Sequence, residues 1–188
     1  WFPTNRGIIG RFWPSGDAIP VFTLNVDEND DNNIWAGLKD VKGAYKSTDG
    51  GQTWMEVTPN IPDPEFVFRA FTVMPGDSNE VFGAGELPTP ITGKEFGLVK
   101  GRIYHTTDGG QNWTMIREDD NLFRYVIIHP DDHNVIYASM GIFDREAMDS
   151  DCKNIPPITG HQGTGGVLKG VYSGGTWQWT RLNKGLTD

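Results

Sequence analysis

At 188 residues the chain is long enough for a sizeable core and, by length alone, for one or two domains. A net charge of −9 and a pI near 4.8 exclude nucleic acid and anionic membrane surfaces as partners, because no basic stripe is present to neutralise phosphates. The single Cys152 excludes an intrachain disulfide framework, and no run of about 18 apolar residues is present to form a transmembrane segment.

With 24 Gly, 12 Pro, 12% aromatic residues and no sustained helical periodicity, the chain reads as all-β, with many short strands joined by turns. It starts at Trp1, with no charged n-region or apolar h-region, which predicts a processed product or a piece of a longer protein. Residues 1–18 carry Trp1, Phe2, Phe12 and Trp13 among Pro and Gly and predict a partial unit or an added strand.

From residue 19 a repeat is legible. In the unit 19–60 a strand over 21–26 runs into the polar turn 27–32. A second strand follows at 34–37, a third at 44–46, then a tight turn and a fourth strand at 55–57. The unit 61–119 repeats this order with strands at 68–74, 81–84, 102–104 and 114–116. The unit 120–188 repeats it again with strands at 123–129, 135–138 and 166–169 and a last strand around Trp179.

The third-to-fourth-strand turn carries the signature. Ser47-Thr48-Asp49-Gly50-Gly51-Gln52-Thr53-Trp54 is rewritten 59 residues later as Thr106-Thr107-Asp108-Gly109-Gly110-Gln111-Asn112-Trp113. In each octet the Asp carboxylate is suited to accept backbone N–H groups of its own turn, and Gly51 or Gly110 to take φ > 0. The third unit keeps Gly174, Gly175 and Trp177 but loses the Asp, which predicts the loosest of the three turns. Trp54, Trp113 and Trp179 recur with the repeat and are assigned to the core.

The pattern Ser/Thr-x-Asp-x-Gly-x-Thr-Trp resembles the Asp-box, or BNR repeat, of β-propellers, a group that includes sialidase-like, sortilin-like and xyloglucanase-like proteins. The resemblance covers residues 19–183 and implies blades of four antiparallel strands, with structural Asp-box residues Ser47, Asp49, Gly51, Trp54, Thr106, Asp108, Gly110 and Trp113. About three blades form an incomplete ring, so further blades are expected from the same longer chain or from other copies. Family resemblance also implies an exported, bacterial protein, extracellular or periplasmic.

In such a meander the octets share one rim with the turns after the first strands, and the overgrown segments 86–101 and 141–165 share the other. Loops that outgrow the needs of the fold point to a binding surface. Arg69 and Arg124 occupy matching inner-strand positions at that rim, where Phe22 stands in the first unit, and suit a ligand carboxylate or phosphate. The alternative is pairing with an acid from a neighbouring blade. Phe96 and Phe143 break the repeat within the insertions and are candidate ligand contacts.

Lys39-Asp40-Val41-Lys42-Gly43-Ala44-Tyr45 resembles a segment of xyloglucan-cleaving endoglucanases whose Asp is catalytic, which makes Asp40 a candidate catalytic carboxylate. Lys39 and Lys42 depart from that pattern, and an ordinary turn Asp is the competing reading. Asp149, Asp151 and Asn154 form an oxygen-rich stretch suited to Ca²⁺, the one cofactor considered; otherwise none is expected. The resulting expectation is a binding or scaffold module for a glycan or protein partner, with a glycoside hydrolase as the alternative and a photosystem-assembly-like propeller as a third reading.

Overall fold

The structure, a computed structural model, describes residues 6–8, 21–38, 43–58, 60–62, 66–87, 100–119, 121–141 and 165–186. The described residues form twelve strands and no helix. The first sheet contains β1 (Val21–Val26), β2 (Ile34–Leu38), β3 (Ala44–Ser47) and β4 (Met55–Glu56). The second contains β5 (Val67–Met74), β6 (Asp77–Glu86), β7 (Gly101–Thr106) and β8 (Thr114–Asp119). The third contains β9 (Phe123–Ile128), β10 (Val135–Met140), β11 (Gly166–Ser173) and β12 (Thr176–Arg181). Each sheet is an antiparallel meander in sequence order, with neighbouring strands paired throughout.

The three sheets pack face to face, the second burying one face against each neighbour. Trp35 and Ala44 of the first sheet pack with Phe68, Phe71, Val73, Tyr104 and Trp113 of the second. On the opposite face of the second sheet, Ala70, Phe82 and Ile103 meet Phe123, Val126, Ile136 and Leu168 of the third. The outward faces carry exposed apolar side chains, Leu24 and Val26 on β1 and Tyr125 and Ile127 on β9.

A register irregularity recurs in each first strand. The pairing skips Phe22 between Val21 and Thr23, Arg69 between Phe68 and Ala70, and Arg124 between Phe123 and Tyr125. A bulge changes the parity of the strand and re-aims the extra residue. In β5 this places Phe68 and Phe71, three residues apart, on one face, where their rings stack at 4.9 Å. It also frees Arg69 from the alternation that would otherwise fix its direction.

The two octets have nearly the same geometry. Ser47 Oγ donates to Asp49 Oδ1 at 2.8 Å and accepts Gly51 N–H at 2.8 Å. Asp49 accepts Thr53 N–H at 2.8 Å and Thr53 Oγ1–H at 2.6 Å. Thr106, Asp108, Gly110 and Asn112 reproduce these four contacts at 2.8, 3.0, 2.8 and 2.7 Å. Hydrogen bonds from Thr53 and Ser47 hold the Asp49 carboxyl down at about 2, and those from Asn112 lower Asp108 likewise. Gly51 (φ 86°) and Gly110 (φ 94°) occupy the left-handed region these turns require. Upstream, Arg6 pairs in parallel with Thr53, and its carbonyl accepts Trp54 N–H at 2.8 Å.

The turn of the third unit is not the loosest. Ser173 pairs directly with Thr176, and Gly174 (φ 60°) and Gly175 (φ 81°) form a two-residue hairpin turn. Two adjacent glycines at φ > 0 match the right-handed twist of the flanking strands, so the turn without the Asp is shorter and tight. Of the recurring tryptophans Trp113 is buried, whereas Trp54 and Trp179 are half-buried.

Candidate functional site

The bulges bring a charged cluster together at the rim from which both insertions leave. Glu86 ends β6, and its carboxylate is buried. Arg69 Nε donates to Glu86 Oε1 at 2.9 Å, and Arg69 Nη2 contacts the same oxygen. Arg124 Nη1, from the third sheet, donates to Oε2 at 3.0 Å. The Arg69 guanidinium lies 3.6 Å from the Phe22 ring centre, a cation–π contact across to the first sheet. The three equivalent bulge residues thus form one row across three sheets, the two arginines linked by a single carboxylate and Phe22 by its contact with Arg69.

Two guanidinium groups share one carboxylate in a largely dehydrated setting, where charge-assisted hydrogen bonds are strong. The cluster can orient an anionic or hydroxyl-rich group at the rim while Glu86 fixes both arginines. It sits at the roots of both insertions. Leu87 N–H donates to the Lys100 carbonyl at 3.0 Å, closing the base of the first, and Gly141 N–H donates to the Leu122 carbonyl at 3.0 Å at the base of the second. A second ion cluster lies between the same two sheets: Arg181 Nη2 meets both oxygens of buried Asp119 at 3.0 and 2.9 Å, and Arg117 adds a contact of 2.7 Å.

Arg69 and Arg124 are therefore brought together, and Arg124 pairs with an acid of the neighbouring sheet. Glu86 was visible in the sequence only as the edge of an insertion; the available signal was an acidic residue closing an otherwise apolar strand. Asp40, Phe96, Phe143, Asp149, Asp151 and Asn154 lie outside the described residues. Among the described residues no group of three or more His, Cys, Asp or Glu is placed to hold a metal ion. No helix among them is long and apolar enough to cross a membrane.

Solved structures share this arrangement. An ancestral GH74 enzyme superposes with a TM-score of 0.56 at 22% identity, covering 86% of this chain and 18% of its own. The GH74 enzyme of Niastella koreensis gives 0.54 at 22% identity, over 86% of this chain and 21% of its own. The GH74 xyloglucanase from Xanthomonas campestris gives 0.54 at 15% identity, over 87% and 22%. The fold is that of a β-propeller. Its three described sheets are successive blades, with β1, β5 and β9 as the inner strands.

In sequence, the chain is 30% identical over 115 residues to the probable oligoxyloglucan-reducing end-specific xyloglucanase of Neosartorya fischeri. That match takes in 61% of the chain and 12% of the relative's length, so the chain corresponds to a small part of that protein. No protein-family model matches the chain.

Proposed function

We propose that these blades belong to an exported propeller whose insertion-bearing rim binds a glycan or protein partner, and that the two octets are Asp-boxes serving the fold. The observation that carries this reading is the Arg69–Glu86–Arg124 cluster, built by a recurring bulge at the roots of both insertions. Bulges occur often at rims and beside sites, where they re-aim a side chain, and each of the three inner strands carries one here. The 30% identical relative, named as a xyloglucanase, favours a glycan over a protein as the partner. Further blades, from the same longer chain or from other copies, cover the exposed apolar faces at Leu24 and Val26 and at Tyr125 and Ile127. An extracellular or periplasmic location agrees with this reading.

The test is titration of the chain with xyloglucan oligosaccharides and with anionic glycans, read by calorimetry. Removing residues 88–99 or 142–164 is expected to abolish binding at the insertion-bearing rim while leaving the melting temperature nearly unchanged. Retention of full affinity at that rim in both deletions would sink the reading.

The second reading, a glycoside hydrolase, is favoured by the same relative and by the Asp40 segment. It requires a second carboxylate across the scissile bond. It is tested by release of reducing ends from xyloglucan and by loss of that release in Asp40→Asn. A full-length protein that binds xyloglucan without cleaving it would remove the hydrolase reading and keep the first.

A further inference from the structure

The shortened turn of the third blade has a spatial consequence. From Ser47 to Trp54 the first octet spans eight residues, whereas Ser173 to Trp177 spans five. At the seam between the first two blades the octet fills the available space. Gly110 lies so close to Val57 and Trp35 that an added Cβ would come within 3.1 Å of both. Trp113 closes the same seam, with its indole N–H on the Val57 carbonyl at 2.7 Å and its ring edge-on to Trp35.

At the seam between the second and third blades no equivalent loop exists, and a cleft of about 470 Å³ opens there. That volume lies within the range of small-molecule sites. Its floor is Phe82, with the His105 ring stacked on it at 4.3 Å and Trp177 edge-on at 5.5 Å. Tyr172, exposed and 5.4 Å from Trp177, extends the aromatic wall. Polar groups converge on the same space: Glu80, 2.9 Å from His105 Nε2, with His133 and Asn134 from the third blade.

We propose that this cleft is a binding site for a neutral saccharide unit, on the octet rim and therefore separate from the insertion-bearing rim. Aromatic faces suit the C–H face of a pyranose, while a carboxylate, imidazoles and a carboxamide suit its hydroxyl groups. Glu80 and the net charge of −9 disfavour a phosphate or a carboxylate ligand. The ligand class follows from the lining of the cleft itself, so the assignment stands whether or not the opposite rim binds a glycan.

The experiment is titration of the 188-residue chain with cellotetraose and with a xyloglucan heptasaccharide, followed by amide and indole NMR resonances. The expected result is saturable shifts at Trp177, Tyr172 and His105. Affinity should fall at least tenfold in Tyr172→Ala and in Glu80→Gln and be unchanged on deletion of residues 88–99. Glu80→Gln replaces a partly exposed side chain, and an unaltered melting temperature verifies that its fold is intact. Absence of shifts at these residues, or an affinity in both substituted proteins equal to that of the unsubstituted chain, overturns the proposal. Shifts confined to the opposite rim overturn it while supporting the insertion-rim reading, so the two fail separately.

Discussion

The two seams of this molecule solve one packing problem in different ways. Between the first and second blades, contact is aromatic and extends to the octet rim: Trp35, Phe66, Phe68, Phe71, Tyr104 and Trp113 form one cluster, with Trp113 seated by three hydrogen bonds to Val57 and Asn60. Between the second and third, the core is mainly aliphatic, the octet rim is open, and the opposite rim is clasped by charge, through Arg124 on Glu86 and Arg181 on Asp119. The comparison teaches that the octet is a wedge as well as a turn. Where it is complete it packs onto Trp35 and Val57 of the preceding blade, and where three residues are missing an aromatic cleft lies beside Phe82.

The largest test of this difference is Trp113→Ala against Trp177→Ala. Truncating a buried Trp costs about 3–5 kcal/mol, so the first should lose about 4 kcal/mol of unfolding free energy in a urea titration. Trp177 is half-buried beside a cleft, and its loss should cost about 1–2 kcal/mol. Equal costs would break the comparison.

The charged clasp is tested by Glu86→Gln. Removing the charge that both arginines share in a buried cluster should cost about 3 kcal/mol. Denaturant melts should show this loss, concentrated in amides of β6 and β9 by hydrogen exchange. Loss confined to the seam of the first two blades would contradict the assigned role.

Glycine substitutions give a finer reading. Gly110→Ala combines a positive φ with contacts to Val57 and Trp35 and should cost about 2 kcal/mol, whereas Gly174→Ala meets open space and should cost about 1 kcal/mol. Thermal melts of the two proteins side by side decide it.

The smallest expected effect concerns acid. The Asp49 carboxyl, ordinarily near 3.8, is held at about 2 in the folded chain. Its folded value lies below its unfolded value, so its contribution to stability is present above about pH 4 and fades as pH falls toward 2. Asp49→Asn should flatten the decline of stability across that window while changing little at pH 7 beyond the loss of the turn contacts. An unaltered acid limb would show that the turn carboxylates do not set it.

Much of this fold is legible before any coordinates, for local reasons. The octets are readable because the hydrogen bonds of their Asp and Ser or Thr side chains join residues at most four apart, so residue types at fixed spacing specify the turn. Alignment of the units likewise equates Phe22, Arg69 and Arg124. Glu86 is different. Its partnership with both arginines depends on bulges that shift strand parity and on a third blade bringing Arg124 within 3.0 Å.

By itself, then, the sequence determines the number and order of the blade units, the chemistry of the octet turns and the position of the overgrown segments, since these rest on short-range contacts and on recurrence. Only the tertiary structure decides that the shortened third turn is tight, that two matched arginines share one buried acid, and that an aromatic cleft opens at the seam between the second and third blades. Those outcomes depend on how far one sheet stands from the next, and that distance is set by side chains from separate units meeting across the gap.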